Sequence, residues 1–90
     1  MLIELNLLVL RCRDIEVTRQ FYEQLLGINF TLEQHGQGLP HYASILGNGL
    51  VWELYPTQES PDKTRLGFKL KGNYVSYVVK DPDGRSVEIS

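Results

Sequence analysis

The sequence predicts an α+β fold: a βαβββ module followed by three further strands that carry no helix, a mixed sheet arrangement with one main helix. Three observations predict it. A single stretch, Asp14 to Gly27, has helical apolar spacing and a suitable cap residue at each end. From Asn29 onward, short runs alternate apolar and polar residues between turn signals. The chain closes on Asp81-Pro82-Asp83-Gly84, a turn sequence that feeds a last strand, Ser86 to Ile89.

Leu2 to Cys12 reads as the first strand, with Leu7, Val9 and Arg11 on one face and Leu8, Leu10 and Cys12 on the other. Asp14 is a good N-cap, and Glu16 sits in the first turn, where the helix dipole favours a negative charge. The helix runs to Leu26 and stops at Gly27, with Phe21, Tyr22, Leu25 and Leu26 forming an apolar stripe that belongs against a sheet. Asn29 to Gln34 is the second strand, Gly36 to Pro40 a loop, and Tyr42 to Leu46 the third strand. Gly47-Asn48-Gly49 makes a tight turn into Leu50 to Tyr55. There Leu50, Trp52 and Leu54 share the helix-facing side, and Val51, Glu53 and Tyr55 share the other. Pro56 to Lys63 is polar and linker-like. Arg65 to Leu70, Tyr74 to Val79 and Ser86 to Ile89 complete the chain as strands. Residues 1–90 therefore form a single domain, divided into 1–56 and a shorter 64–90 that lacks a helix.

Ninety residues bury a small core, about 60–65% of the unfolded surface, which makes association an easy source of further burial. A net charge of −2 gives no reason to expect nucleic acid or an anionic membrane surface as partner. Cys12 is the one cysteine, so no intramolecular disulfide is available, and a reducing cytoplasm is the expected location. No apolar run is long enough to span a membrane, and Glu4 and Asn6 interrupt the N-terminal apolar stretch as no signal peptide would.

Three segments resemble the superfamily of glyoxalases, bleomycin-resistance proteins and extradiol dioxygenases, the vicinal oxygen chelate fold. Leu8-Val9-Leu10-Arg11-Cys12-Arg13-Asp14-Ile15 with Phe21-Tyr22-Glu23-Gln24-Leu25-Leu26-Gly27 resembles its opening strand and helix. Trp52-Glu53-Leu54-Tyr55-Pro56 is similar to the strand that ends its first module, and Asp81-Pro82-Asp83-Gly84 with Val87-Glu88-Ile89 to the turn and strand that close its second. The resemblance implies two βαβββ modules, each curling into half of a barrel-like cleft, with a divalent metal on four side chains from the first and last strands of the modules. Those four positions here are Leu7, Glu53, Arg65 and Glu88. Only the two glutamates have donor atoms suited to a cation, because Leu7 has none and Arg65 is a permanent cation.

Two readings of Glu53 and Glu88 follow. As catalytic residues they hold a weakly bound divalent metal or remove a carbon-bound proton, as the resemblance implies. As a charge cluster they flank Arg65, whose five donors suit bidentate pairing with carboxylates. The cluster is the preferred reading, so the usual metal is expected to be absent. Arg65, Arg11, Tyr55 and His41 are the candidate ligand-binding residues, and a cation fixed in the cleft favours an anionic small molecule. His35 and His41 bracket a glycine loop. Two imidazoles there can bind metal or relay protons, but the spacing is unspecific, and loop-end histidines that are solvated or bonded to backbone are the preferred reading. Cys12 is expected to be a buried small hydrophobe.

The shortened second half leaves its strand order open. Lys71 to Asn73 is too short for an ordinary crossover, so the strands starting at Arg65 and Tyr74 either form a hairpin or flank the last strand by hopping over its end. In both arrangements Leu66, Phe68, Leu70, Val87 and Ile89 lack a helix of their own module, which predicts an exposed apolar face and a homodimer. The leading functional expectation is a small-molecule-binding protein of the glyoxalase and bleomycin-resistance type. A metal-dependent lyase, isomerase or dioxygenase, and an interaction subunit acting through a dimer, are the alternatives.

Overall fold

The computed structural model describes all 90 residues. In chain order the elements are β1 (Leu7–Cys12), α1 (Ile15–Leu26), β2 (Thr31–Glu33), β3 (His41–Ile45), β4 (Val51–Pro56), β5 (Leu66–Phe68), β6 (Tyr77–Lys80) and β7 (Ser86–Ile89). They form a four-stranded sheet in the order β1-β4-β3-β2 and a three-stranded sheet in the order β5-β7-β6. Each sheet is mixed, with one parallel pair, β1 with β4 and β5 with β7.

The helix has the expected ends. The Asp14 carboxylate accepts from the amides of Glu16 and Val17, and Gly27 takes the left-handed conformation at φ 70°, donating to the Glu23 carbonyl. Several strands are shorter than their apolar runs. Strand β1 starts at Leu7, not Leu2, because its partner β4 starts at Val51, leaving residues 1–6 with no strand to pair. Strand β6 likewise starts at Tyr77, opposite Ile89, so Tyr74 and Val75 lie outside the sheet.

Of the two strand orders open to the second half, the chain adopts the hop. Residues between β5 and β6 cross the end of β7, where the Leu70 amide donates to the Ser90 carbonyl and the Ser90 amide donates to Phe68. Gly72, at φ 85°, makes the reversal in a conformation that other residues rarely adopt. Parallel neighbours need a long connection, and β6 with its flanking turns supplies it in place of a helix.

The expected bare apolar face on the second sheet is not there. Leu66, Val87 and Ile89 are buried in the same cluster as Leu10, Cys12, Tyr22, Trp52 and Leu54. Helix α1 and the inner face of the first sheet cover it: Trp52 meets Phe68 in a stack at 5.4 Å, and Tyr22 meets Phe68 at 6.4 Å. Sequence pattern assigns a helix to its own module. Here the one helix packs on the first sheet and reaches the second through Tyr22, while Trp52 joins the two sheets directly.

A buried ionic network fastens the two halves. Arg85 is fully buried and uses all five guanidinium donors. Its Nε and Nη2 grip the two oxygens of Asp62 at 3.0 Å, Nη2 also donates to the Arg11 carbonyl at 2.6 Å, and Nη1 donates to Asp81 at 3.0 Å and Asp83 at 3.2 Å. Asp81 is saturated in turn. Its Oδ1 accepts from the amides of Asp83 and Arg85, and its Oδ2 accepts from Arg85 and from the Tyr22 hydroxyl at 2.6 Å. Asp62 also accepts from the backbone amides of Arg11 and Thr64, so the linker is tied to β1 and to the closing turn.

Removing one partner of a buried pair typically costs about 3–5 kcal/mol, against a total of roughly 5–13 kcal/mol for a domain of this size. Arg85→Ala is therefore expected to be largely or wholly unfolded, read by circular dichroism and urea titration. Arg85→Lys is expected to rescue little, because a point charge cannot replace the fork. A native-like urea midpoint in either variant would contradict this account.

Acid tests the same network. Burial pushes the Asp62 carboxyl upward, but the bonds from Arg85, Thr64 and the Arg11 amide outweigh it and hold the group well below the usual carboxylate range. A carboxylate depressed in the folded state contributes fully above its unfolded value of about 3.9 and loses that contribution as the pH falls below it. The urea midpoint is expected to drop between about pH 5 and pH 2, and Asp62→Asn, less stable at pH 5, is expected to show a shallower drop. Equal slopes in the two proteins would remove Asp62 from the explanation.

Candidate functional site

The outer face of the first sheet collects most of the polar chemistry. Alternation along β1 and β4 places Leu7, Val9 and Arg11 beside Val51, Glu53 and Tyr55 in parallel register. The antiparallel pairing of β3 with β4 sets Ala43 opposite Glu53, and that of β2 with β3 sets Glu33 opposite His41. Arg11, Glu33, His41, Glu53 and Tyr55 therefore share the face turned away from α1.

His41 is the centre of this group. It is the first residue of β3 and 1% exposed, so of the two expected states, solvated or bonded to backbone, it takes the second. Its ring stacks on Tyr55 with centroids 4.2 Å apart and planes 10° from parallel. Its Nδ1 lies 3.1 Å from the Leu39 carbonyl, an acceptor only, so Nδ1 is the donor there. Its Nε2 faces Glu53 Oε2 at 3.3 Å, Glu33 Oε1 at 3.5 Å and the Tyr55 hydroxyl at 3.5 Å. Arg11 completes the stack from the other side, with its guanidinium carbon 5.3 Å from the centre of the Tyr55 ring. An arginine over an aromatic face is held there by the attraction of its charge to the ring.

The second sheet carries a smaller group. Arg65 donates to Glu88 at 2.9 Å, with both side chains largely exposed. The expected cluster of Glu53, Arg65 and Glu88 is thus only half formed. Arg65 reaches Glu88, but Glu53 lies against His41 instead. Both sheets turn their inner faces to one shared core, which directs Glu53 and Glu88 away from it on separate surfaces. Within one protomer the two glutamates have different partners and no bridging cation joins them.

The four-ligand metal of the fold does not fit these residues. Leu7 offers no donor atom, and Arg65 is a cation already paired with Glu88. Nor is Cys12 a reactive group, since it is fully buried and burial pushes its thiol up to about 11. Tyr42 serves structure as well: it faces the helix, bonds Glu16 and lies under Arg19, whose guanidinium carbon is 5.1 Å from its ring centre.

Two site features escape a sequence reading. Glu33 and His35 are two residues apart on an extended segment and so share a side, with His35 Nε2 3.4 Å from Glu33 Oε1. That spacing was visible in the chain, but the pairing of β2 with β3 that brings His41 onto the same carboxylate was not. The ligand atoms of Glu33, His35 and His41 all lie within 4.8 Å of one another. The role of Arg85 was also hidden, because nothing local distinguishes a buried arginine after a turn from an exposed one.

Comparison with known proteins agrees with this architecture. The family described as Glyoxalase/Bleomycin resistance protein/Dioxygenase superfamily matches residues 4–68, and the chain belongs to it. A structure from the mobile metagenome of V. pseudocholerae superposes with a TM-score of 0.70 at 21% identity, covering 99% of this chain and 94% of that one. The oxidase ChaP-H2 superposes with a TM-score of 0.69 at 14% identity, covering 99% and 93%. Lactoylglutathione lyase from Agrobacterium tumefaciens gives a TM-score of 0.63 at 18% identity, covering 96% and 91%. At these identities the likeness is one of fold. No curated protein matches the sequence. No helix is long and apolar enough to cross a membrane.

Proposed function

We propose that the chain is a small-molecule-binding protein of the glyoxalase and bleomycin-resistance type that receives an anionic ligand on the outer face of its first sheet, without the four-ligand metal of its family. The observation that carries this reading is the stack of Arg11, Tyr55 and His41, with separations of 5.3 Å and 4.2 Å. Tyr55 presents an apolar body to a ligand ring or chain, and Arg11 a fixed positive charge to its carboxylate or phosphate. The backbone of Arg11 is held by Asp62 and Arg85, so the side chain projects from an anchored position. Lyase or dioxygenase chemistry has less support, because Leu7 and Arg65 stand at two of the positions from which such chemistry draws its metal.

A single outer face is open, and closing it calls for a second surface. A homodimer in which the first sheet of one protomer faces the second sheet of its partner would bring Arg65 and Glu88 over the Arg11 stack. Exposed apolar residues support association: Tyr74 and Val75 precede β6, and Tyr77 and Val78 lie on that edge strand.

Titration of the purified protein with a panel of aromatic and aliphatic carboxylates, followed by amide chemical shifts, is expected to move resonances at Arg11, His41 and Tyr55. Arg11→Ala is expected to weaken the best ligand by about tenfold to a hundredfold, the worth of one charge-assisted hydrogen bond. No shifts on this face with any anion, or an affinity unchanged by Arg11→Ala, would defeat the reading. Light scattering is expected to give twice the chain mass, and Val78→Lys to shift it towards the monomer; a monomer at high micromolar concentration would rule out the composite cleft.

A further inference from the structure

The strongest unassigned cluster lies at the open end of the β2–β3 pair, on residues outside the first and last strands where the family holds its metal. Glu33 and His41 face each other across the two strands, and His35 follows Glu33 on the same side. His35 Nε2 and His41 Nε2 converge on one carboxylate oxygen, Glu33 Oε1, at 3.4 Å and 3.5 Å. Bonds of about 2.0–2.1 Å from a metal to nitrogen and oxygen ligands, set at tetrahedral angles, place neighbouring ligand atoms about 3.3–3.4 Å apart. Two of the three edges already have that length to within about 0.2 Å. The third closes by rotation of His35, whose side chain is 74% exposed and whose ring already lies 5.3 Å from that of His41.

The state of His41 makes the cluster a site and not a coincidence of surface charges. Its Nδ1 faces the Leu39 carbonyl and is the donor there, so Nε2 is the nitrogen directed at Glu33 Oε1 and Glu53 Oε2. Three acceptors then face one another around a nitrogen that is almost wholly buried. The Tyr55 hydroxyl, 3.5 Å from Nε2, is the one neutral donor there, and a cation between the two carboxylate oxygens and the nitrogen is attracted by all three. A backbone carbonyl on the far nitrogen is the usual way a ligating imidazole is oriented.

We infer that Glu33, His35 and His41 form a three-ligand binding site for a divalent transition-metal ion of the zinc class, whose ligand atoms all lie within 4.8 Å of one another. Two imidazoles and a carboxylate suit zinc, nickel or copper and do not suit magnesium or calcium, which favour oxygen alone. All the ligands come from one protomer, from β2, β3 and the loop between them, so the site requires neither the dimer nor the anionic ligand proposed above. Its position next to Tyr55 gives the metal an open side towards the Arg11 stack.

The test is titration of the full chain with zinc chloride in competition with a chromophoric chelator. One equivalent is expected to bind with a Kd of about 1 μM or tighter, with the ring resonances of both histidines shifting and with no response to magnesium or calcium. His35→Ala changes an exposed side chain and is expected to fold normally, yet to weaken zinc by at least about tenfold; Glu33→Gln is expected to do the same. His41→Gln serves only if its circular dichroism matches that of the parent. No zinc binding below about 100 μM, or binding that survives both His35→Ala and Glu33→Gln unchanged, overturns the site.

Discussion

The Arg85 network is the constraint on which the rest of this structure depends. A 90-residue chain with one helix and two small sheets has little apolar surface with which to fix their relative position. Arg85 does so with direction as well as attraction. Its five donors go to the linker, to the β1 backbone and to the closing turn, and Asp81 passes the connection on to the helix through Tyr22. A buried guanidinium is costly to desolvate, and the cost is met only because every hydrogen finds an acceptor. The same saturation makes the network intolerant of partial loss.

Once the halves are fastened in this way, one helix is enough. Tyr22 reaches both sheets, and Trp52 packs against Tyr22, Phe30 and Phe68 at 4.7, 5.3 and 5.4 Å. Burial of the inner faces of both sheets in one core leaves their outer faces free. Those faces divide the polar residues between them, Arg11, His41, Glu53 and Tyr55 on one and Arg65 and Glu88 on the other. Loss of the second helix has therefore not stripped the core; it has changed what covers it.

Chemistry on the first sheet has moved away from the positions that define the family. Leucine and arginine stand where donor atoms would be needed, while the histidines lie at the β2–β3 end. His41 links the two parts of the surface, stacking on the Tyr55 and Arg11 side and directing its Nε2 to the carboxylates on the other. The sites proposed for an anion and for a cation thus adjoin on one sheet, with Tyr55 between Arg11 and His41.

The chain by itself determined the element types, the helix with its Asp14 and Gly27 ends, the face of each strand and the family, because caps, turn residues and two-residue alternation are local properties. It also put Glu53 with Tyr55 on one face of β4 and Arg11 with Leu7 and Val9 on one face of β1, while the parallel pairing that makes them neighbours came from the fold. Strand ends were less legible: apolar runs at residues 2–6 and 74–75 continue past the point where a partner strand exists. Tertiary structure alone decided the hop of the chain over β7, the shared core, the burial of Arg85 and the meeting of His41 with Glu33 and Glu53. Each of these depends on which distant segments touch. A periodicity records which way a side chain points, and only the packed fold records what it points at.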